Sequence, residues 1–112
     1  MCVVSVESAE EKRVTREGAS GVRVKYLLHS GVGADRVQLR LFTLDVGGYT
    51  SLETHSHEHE VFILDGRALV QGGGEEVVVK PGGVIFIPSC EEHQFTNIGD
   101  EPLVFLCTKE TL

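Results

Sequence analysis

One short segment, GGVIFIPSCEEHQFTN at residues 82–97, carries the strongest fold signal in this chain. It contains two runs of strand-forming residues, Val84–Pro88 and His93–Asn97, separated by a few polar residues. Branched and aromatic side chains in short runs bounded by Gly and Pro are typical of β-strands. The segment therefore predicts two strands joined by a tight loop, with an imidazole at the start of the second strand.

Similar runs recur along the chain, separated by turns drawn from its 13 glycines and 3 prolines. The other candidate strands are Val22–Leu28, Val37–Leu44, Glu60–Asp65, Arg67–Gln71, Glu75–Lys80 and Leu103–Thr108. Asp65-Gly66 suits a tight two-residue hairpin, and Gly72–Gly74, Pro81–Gly83 and Asn97–Asp100 mark further reversals. Short strands at regular spacing, with no long helical period, predict an all-β sandwich or barrel.

The length of 112 residues fits a single domain. Ser8–Glu11 could form a capping box, but no amphipathic run follows it, so no stable helix is predicted there. Gly18–Gly21 and Gly31–Asp35 are predicted loops. We expect residues 1–21 to form a partly irregular N-terminal arm and residues 22–112 to form the barrel.

The composition narrows the classes of partner. A formal net charge of −7 argues against a nucleic-acid partner, because neutralising phosphates requires clustered Lys and Arg. No apolar run reaches the roughly 18 residues of a membrane span, and the N-terminus does not look like a secretory signal. Three widely spaced cysteines predict no disulfide framework and fit a reducing compartment, so the expected location is cytoplasmic.

The histidines are clustered. Four of the five fall in two places: His55, His57 and His59 lie together, and His93 follows much later. Neutral imidazole is a common ligand for divalent transition metals. Alternate residues of a strand share one face, so an extended run from Glu53 to His59 would place a carboxylate and three imidazoles on one side. A polar, solvent-facing strand could also be rich in histidine, but the distant partner His93 favours a metal site.

With these features the sequence resembles the cupin superfamily from Val22 onward, and in particular its compact conserved-barrel members. The second cupin motif runs Gly, five residues, Pro-x-Gly, two residues, His, three residues, Asn. Here it appears as Gly82, Pro88, His93 and Asn97 at full spacing, with Cys90 where the family has glycine. The resemblance implies an antiparallel double-stranded β-helix, that is, a single-domain jelly-roll barrel.

The first cupin motif is present in rearranged form. The family pattern is Gly, five residues, His-x-His, three or four residues, Glu, six residues, Gly. Counting from Gly47 at these intervals reaches Glu53, His55, His59 and Gly66, so Glu and His have exchanged ends. The implied ligands of the metal are then Glu53, His55, His59 and His93.

A second interpretation takes the literal His-x-His and uses His55, His57, His59 and His93, as in small four-histidine cupins. In an ideal strand, however, the Cα atoms of His55 and His59 lie about 13 Å apart. Three such ligands converge on one ion only if the chain bends between them. We favour the set that contains Glu53, in which the bend turns His57 towards the pocket or the solvent.

Three further residues are candidates for catalysis. Arg40 interrupts an apolar strand and could contact an anionic substrate or a carboxylate that binds the metal. An arginine that faces outward from an edge strand would give the same sequence pattern. Cys107 lies in the last strand, which in similar cupins passes near the metal; a buried, structural role is the more usual one for such a cysteine. His57 is the third candidate.

The resemblance implies a metal-dependent enzyme, for which we expect a small-molecule dioxygenase that uses Fe or Mn, with Ni, Zn or Cu as other candidates. Four protein ligands on an octahedral ion would leave two positions for a substrate and O₂. Two alternatives remain open: a non-redox isomerase or decarboxylase of a sugar or keto acid, and a binding protein without turnover. Strands that are apolar on both faces also predict a homodimer.

Overall fold

The computed structural model describes residues 1–111. It contains nine strands: β1 (Glu11–Arg13), β2 (Ser20–Leu28), β3 (Val37–Tyr49), β4 (His59–Asp65), β5 (Ala68–Gly72), β6 (Glu75–Val79), β7 (Val84–Ile87), β8 (His93–Asn97) and β9 (Leu103–Glu110). Two short 3-10 turns, Val6–Ser8 and Ser30–Val32, are its only helical elements within that range. Neither is remotely long enough to cross a bilayer, and no described helix qualifies as a membrane span.

The strands form one curled antiparallel sheet, a jelly-roll barrel, as predicted. The order of hydrogen-bonded neighbours is β6-β5-β8-β3-β9-β4-β7, with β2 also paired to β3 and β1 to β2. The long strand β3 links two halves of the barrel, one formed by β2, β9, β4 and β7 and the other by β8, β5 and β6. Its first part pairs with β2 and β9, while Tyr49 at its end pairs with Thr96 of β8. This connection closes the barrel around its interior.

Alternation along the strands fills that interior. The fully buried side chains include Leu44 of β3, Ile63 of β4 and the pair Leu103 and Phe105 of β9. Phe105 stacks on Phe95 of β8 with 4.9 Å between ring centroids, which joins the two halves of the barrel. This apolar cluster occupies one end of the interior, and the histidines lie beside it.

Asn97, the last residue of the second motif, holds three segments of backbone together. Its side-chain amide donates to the carbonyl oxygens of Leu44 (3.0 Å), Asp45 (3.2 Å) and Glu101 (2.8 Å), and its Oδ1 accepts from the amide of Gly99 at 2.9 Å. These bonds tie the second half of β3 to the loop between β8 and β9. The motif's asparagine is therefore a structural residue in this chain.

The predicted hairpin at Asp65-Gly66 is wrong. Strand β4 pairs with β7 and β9, whereas β5 pairs with β6 and β8, so this turn passes from one half of the barrel to the other. Gly66 has φ +87°, and a Cβ there would lie 2.7 Å from the carbonyl oxygen of Pro102. A glycine in a left-handed conformation thus marks a crossing point as readily as a hairpin. The reversal at Gly72–Gly74 is confirmed as the β5–β6 hairpin.

The first half of the chain contains more strand than the sequence indicated. Ser5 caps the first 3-10 turn, and β1 was not predicted at all; it pairs with β2 from Glu11 to Arg13. The predicted loop at Gly18–Gly21 is wrong in its second half, since β2 begins at Ser20. Strand β3 likewise continues to Tyr49, five residues past the predicted end at Leu44. Short polar strands carry too weak a hydrophobic alternation to be seen in the sequence.

Candidate metal centre

Three histidines from separate parts of the chain meet at one point. His59 begins β4, His93 begins β8, and His55 lies in the irregular segment between β3 and β4. Each offers a ligand nitrogen, and these atoms lie within 4.8 Å of one another, the one such group of three among residues 1–111. The ring of His93 is 5.4 Å from each of the other two, centroid to centroid.

The chain bends at Ser56 and His57, where convergence of His55 and His59 requires it. The loop before β8 holds this bend: the amide of Cys90 donates to the carbonyl oxygen of His55 at 2.6 Å, and the Ser89 hydroxyl donates to that of Ser56 at 2.6 Å. Cys90 has φ +66°, which is the conformation that favours the glycine of the family motif. The backbone of this motif position is kept although its residue is different.

Backbone carbonyls set the protonation of two of the rings. His59 Nδ1 faces the carbonyl oxygen of Thr108 at 3.0 Å, and His93 Nδ1 faces that of Glu91 at 2.9 Å. A carbonyl only accepts, so each Nδ1 carries the proton and each Nε2 keeps a lone pair. Burial lowers the pKa of His59 to about 4, so this ring is neutral at neutral pH.

Glu53 lies at the edge of the triad formed by His55, His59 and His93, and both oxygens of its carboxylate have partners. Its Oε1 is 2.9 Å from His55 Nε2, and its Oε2 accepts from the Ser51 hydroxyl at 2.7 Å and from the Arg16 guanidinium. Burial alone would raise the pKa of this carboxyl, but the hydrogen bonds from Ser51 and Arg16 outweigh it and hold the pKa below its usual value. Paired backbone hydrogen bonds with His93 fix its main chain.

His57 lies beside the triad and outside the cavity. Its ring stacks on that of His55 with 4.8 Å between centroids, and it is 4.7 Å from the ring of His59. Burial is the main cause that lowers the pKa of His57, and the neighbouring His55 is the second. Neither His57 nor Glu53 belongs to the group of three, so the identity of a fourth ligand stays a prediction.

A cavity of about 220 Å³ opens above the triad. Most of the exposed area of its wall is apolar, from strands β2, β3, β8 and β9 and from the segment between β1 and β2. The polar lining comes from Arg16, Tyr26, Arg40, Thr50, Ser51, Glu53, His55, His59, His93 and Cys107. A largely apolar cavity with a few convergent polar groups is the usual form of a small-ligand site. Its volume restricts the ligand to a small molecule.

Arg40 and Cys107 meet on one wall of this cavity. Arg40 Nη2 donates to Cys107 Sγ at 3.3 Å, and Sγ lies 3.5 Å from His59 Nδ1. Burial raises the pKa of Cys107, which keeps the thiol protonated at neutral pH. Arg40 also lies over the Phe42 ring, 4.9 Å from its centroid, and its buried Nε has no partner within the described chain. The guanidinium pairs with no carboxylate there, so the predicted contact with a ligand carboxylate does not form.

Two residues that contact Glu53 were missed in the sequence. Arg16 lies between β1 and β2, and Ser51 follows β3, and both contact Glu53. No spacing rule connects Arg16 with a carboxylate 37 positions away. Only the folded chain shows that the N-terminal segment forms part of the cavity wall.

The residues fit a divalent transition metal. Three imidazole nitrogens are close enough to share one ion, and two of the rings keep an unprotonated Nε2 because a carbonyl holds the other nitrogen. A carboxylate and a fourth imidazole lie next to them. Borderline nitrogen donors with a carboxylate suit Mn, Fe, Ni, Cu and Zn rather than Mg or Ca.

Comparisons with known proteins agree with the fold. A family model described as a cupin domain matches residues 40–109. The chain is 39% identical to a 1-methylthio-D-xylulose 5-phosphate methylsulfurylase of Rhodospirillum rubrum over 81% of its own length, but spans only 59% of that relative. It is 31% identical to an oxalate-binding protein of Thermotoga maritima, covering 95% of this chain and 90% of that one. Among solved structures, the polyketide cyclase RemF of Streptomyces resistomycificus superposes with a TM-score of 0.92 at 29% identity, covering 100% of this chain and 80% of that one.

The low pKa of His59 predicts how the stability of the metal-free protein depends on pH. Between about pH 6.5 and 4 the unfolded chain binds a proton at this residue and the folded chain does not, so the free energy of unfolding falls as the pH is lowered through that range. The loss is at most about 3 kcal/mol. Urea unfolding at a series of pH values should show a shallower dependence for His59→Gln than for wild type. A His29→Gln variant, altered outside the cavity, is the control, and equal slopes for all three proteins would contradict the assignment.

Proposed function

Because this chain belongs to the cupin domain family, we propose that it holds one divalent transition metal and converts a small anionic molecule beside it. The observation that carries this proposal is the convergence of His55, His59 and His93 at the base of a small, mostly apolar cavity. A buried histidine is ordinarily satisfied by a protein partner. Here the rings of His59 and His93 each bond a carbonyl through Nδ1 and leave Nε2 without a protein partner among the described residues, and both residues belong to the group of three.

We propose that the three imidazoles bind the ion together with one further side chain. Glu53 is the fourth ligand that the family spacing implies, and His57 is the substitute. Iron or manganese suits three imidazoles and a carboxylate best, with Ni, Zn and Cu as alternatives. When bound, such an ion would act as a Lewis acid and as a template that holds the substrate in place.

Arg40 supports an anionic substrate. A half-buried guanidinium normally pairs with a carboxylate, whereas within the described residues this one meets a thiol and an aromatic face and no carboxylate. A carboxylate or phosphate in the cavity would fill that place with charge-assisted hydrogen bonds. Two relatives point the same way, because the name of one refers to a 5-phosphate and that of the other to oxalate.

For the reaction, we propose dioxygenation of the bound molecule, in which both atoms of one O₂ enter the product. The apolar cavity wall would exclude water from the reacting atoms, Arg40 would hold the anionic group, and the protonated Cys107 would move protons inside the cavity. His57 lies outside the cavity against the ring of His55, so we propose that it acts only at the edge of the site. A non-redox reaction, such as isomerisation or decarboxylation of a sugar or keto acid, is the second candidate. It is favoured by the relative whose substrate is a sugar phosphate.

We also propose that the chain forms a homodimer through the outer face of β4 and β7. Phe62, Val84 and Phe86 point outward from these paired strands and are 42%, 71% and 54% exposed. Leu106 of β9 lies next to Phe62 in the same row. An apolar surface of this kind on a small domain is typical of a protein–protein interface, and a second copy would cover it symmetrically.

Elemental analysis tests the metal site. Protein purified without added metal should contain close to one equivalent of Fe or Mn, and His93→Ala should lose it, since the three-imidazole group then breaks. Glu53→Ala should lose metal and His57→Ala should keep it; the reverse result would exchange the two residues as fourth ligand. His29→Ala is the matched control. Full metal retention in His93→Ala would contradict the site.

Oxygen consumption tests the reaction. The iron- or manganese-loaded protein should consume O₂ in the presence of a small diketone, thiol or catechol that carries a carboxylate. Arg40→Gln should raise KM for that substrate about tenfold or more, with Arg36→Gln as the control. Turnover that continues unchanged without oxygen would replace dioxygenation by the non-redox reaction. No turnover of any kind, with retained ligand binding, would leave a binding protein.

Sedimentation analysis tests the dimer. Wild type should sediment at twice the chain mass of 12.2 kDa, and Phe86→Glu should give a folded monomer, because a buried charge in the interface has no partner. Val78→Glu changes an exposed valine on β6, outside this face, and should remain dimeric. A monomeric wild type would disprove the interface.

A further inference from the structure

The N-terminal segment between β1 and β2 forms part of the cavity wall. Val14, Arg16 and Ala19 all line the cavity. The amide of Val14 donates to the carbonyl oxygen of Val22 at 2.9 Å, and the amide of Ala19 donates to that of Arg16 at 3.1 Å, so the segment is tied to β2 and folded on itself. Arg16 is thus presented to the site from a part of the chain that lies before residue 40, where the family match begins.

A continuous chain of contacts leads from Arg16 to the metal centre. Its guanidinium pairs with Oε2 of Glu53, which also accepts from Ser51, and Oε1 of Glu53 contacts His55 Nε2. An ionised carboxylate can only accept, so His55 donates its Nε2 proton and keeps the lone pair on Nδ1. This is the opposite of the pattern at His59 and His93, where Nδ1 carries the proton.

We propose that Arg16 is a positioning residue for the metal centre: it holds the Glu53 carboxylate against the ring of His55 and thereby fixes the orientation and tautomer of that ligand. The inference rests on the proposed metal site. Arg16 acts through Glu53 in either arrangement of the ion: where Glu53 stays outside the ligand set, its carboxylate orients His55, and where Glu53 binds the ion itself, Arg16 and Ser51 hold that carboxylate in place as a ligand.

Exposure separates this role from a purely structural one. The Arg16 side chain is 59% exposed, whereas that of Glu53 is 21% exposed. Ion pairs that involve so exposed a partner contribute little to folding stability. Loss of Arg16 should therefore leave the fold intact and show itself at the site.

The test uses the full chain, freed of metal and titrated with Mn²⁺ while the electron paramagnetic resonance of the free ion is followed. Arg16→Gln and Glu53→Gln should each weaken Mn²⁺ binding about tenfold, within the range for partners that orient metal ligands. Arg16→Lys should restore most of the affinity. Arg13→Gln, a change at a neighbouring exposed arginine outside the ion pairs of the described chain, should bind as wild type.

The double variant Arg16→Gln/Glu53→Gln gives the sharper result. If Arg16 acts only through Glu53, the double variant binds Mn²⁺ no more weakly than Glu53→Gln alone. A second readout needs no metal: long-range ¹H–¹⁵N spectra should show His55 protonated at Nε2 in wild type and as a mixture of tautomers in Arg16→Gln.

Two outcomes would overturn the inference: Arg16→Gln that matches Arg13→Gln in both affinity and tautomer, or losses that multiply in the double variant. Failure of the metal site itself looks different. In that case wild type takes up no Mn²⁺, or His93→Ala binds it equally well, and the spectra of the metal-free protein still decide whether Arg16 fixes the ring of His55.

Discussion

The rings of His59 and His93 each turn one nitrogen to a backbone carbonyl, and the rest of the site depends on these two hydrogen bonds. The carbonyls of Thr108 and Glu91 hold the two Nδ1 atoms, so the other nitrogens stay unprotonated inside a largely apolar cavity. Without them, either ring could rotate or change tautomer, and three ligand atoms within 4.8 Å of one another would not be maintained. The acceptors belong to β9 and to the loop before β8. The geometry of the site therefore depends on how these strands close the barrel.

The charged side chains that line the cavity do not balance one another. Two guanidinium groups line it, from Arg16 and Arg40, against the single carboxylate of Glu53. Glu53 pairs with Arg16 at the edge of the site, and Arg40 on the inner wall has no anionic partner among residues 1–111. The buried thiol of Cys107 is a weak substitute for a carboxylate, so the protein presents one unmatched positive charge to whatever enters. This unmatched charge is the reason for proposing an anionic ligand, since it would repel a cationic one.

How much of this could be predicted from the sequence differs from element to element. The second motif was sufficient for the fold and for the position of His93, because its spacing combines turn residues with two short apolar strands. The hairpin at Asp65-Gly66 was wrong, since the same dipeptide serves a tight hairpin and a crossing between two halves of a barrel. Strand β1 was missed because its three residues, Glu11–Arg13, are polar and exposed and have no apolar alternation. For the site, the bend between His55 and His59 could be expected from strand geometry alone, but the choice between Glu53 and His57 could not.

The sequence by itself determined that this chain is a single jelly-roll domain of the cupin family and that imidazoles from two distant segments belong together. These properties follow from local spacing, which strands, turns and motif residues carry within a few positions of one another. Only the tertiary structure decided which nitrogen of each ring is free, that Arg16 holds Glu53, and that Arg40 has no anionic partner in the part of the chain that the structure describes. The contacts of Arg16 with Glu53, of Arg40 with Cys107 and of His59 with Thr108 join residues that are 37, 67 and 49 positions apart, and such contacts are set by how the whole barrel packs rather than by any local pattern.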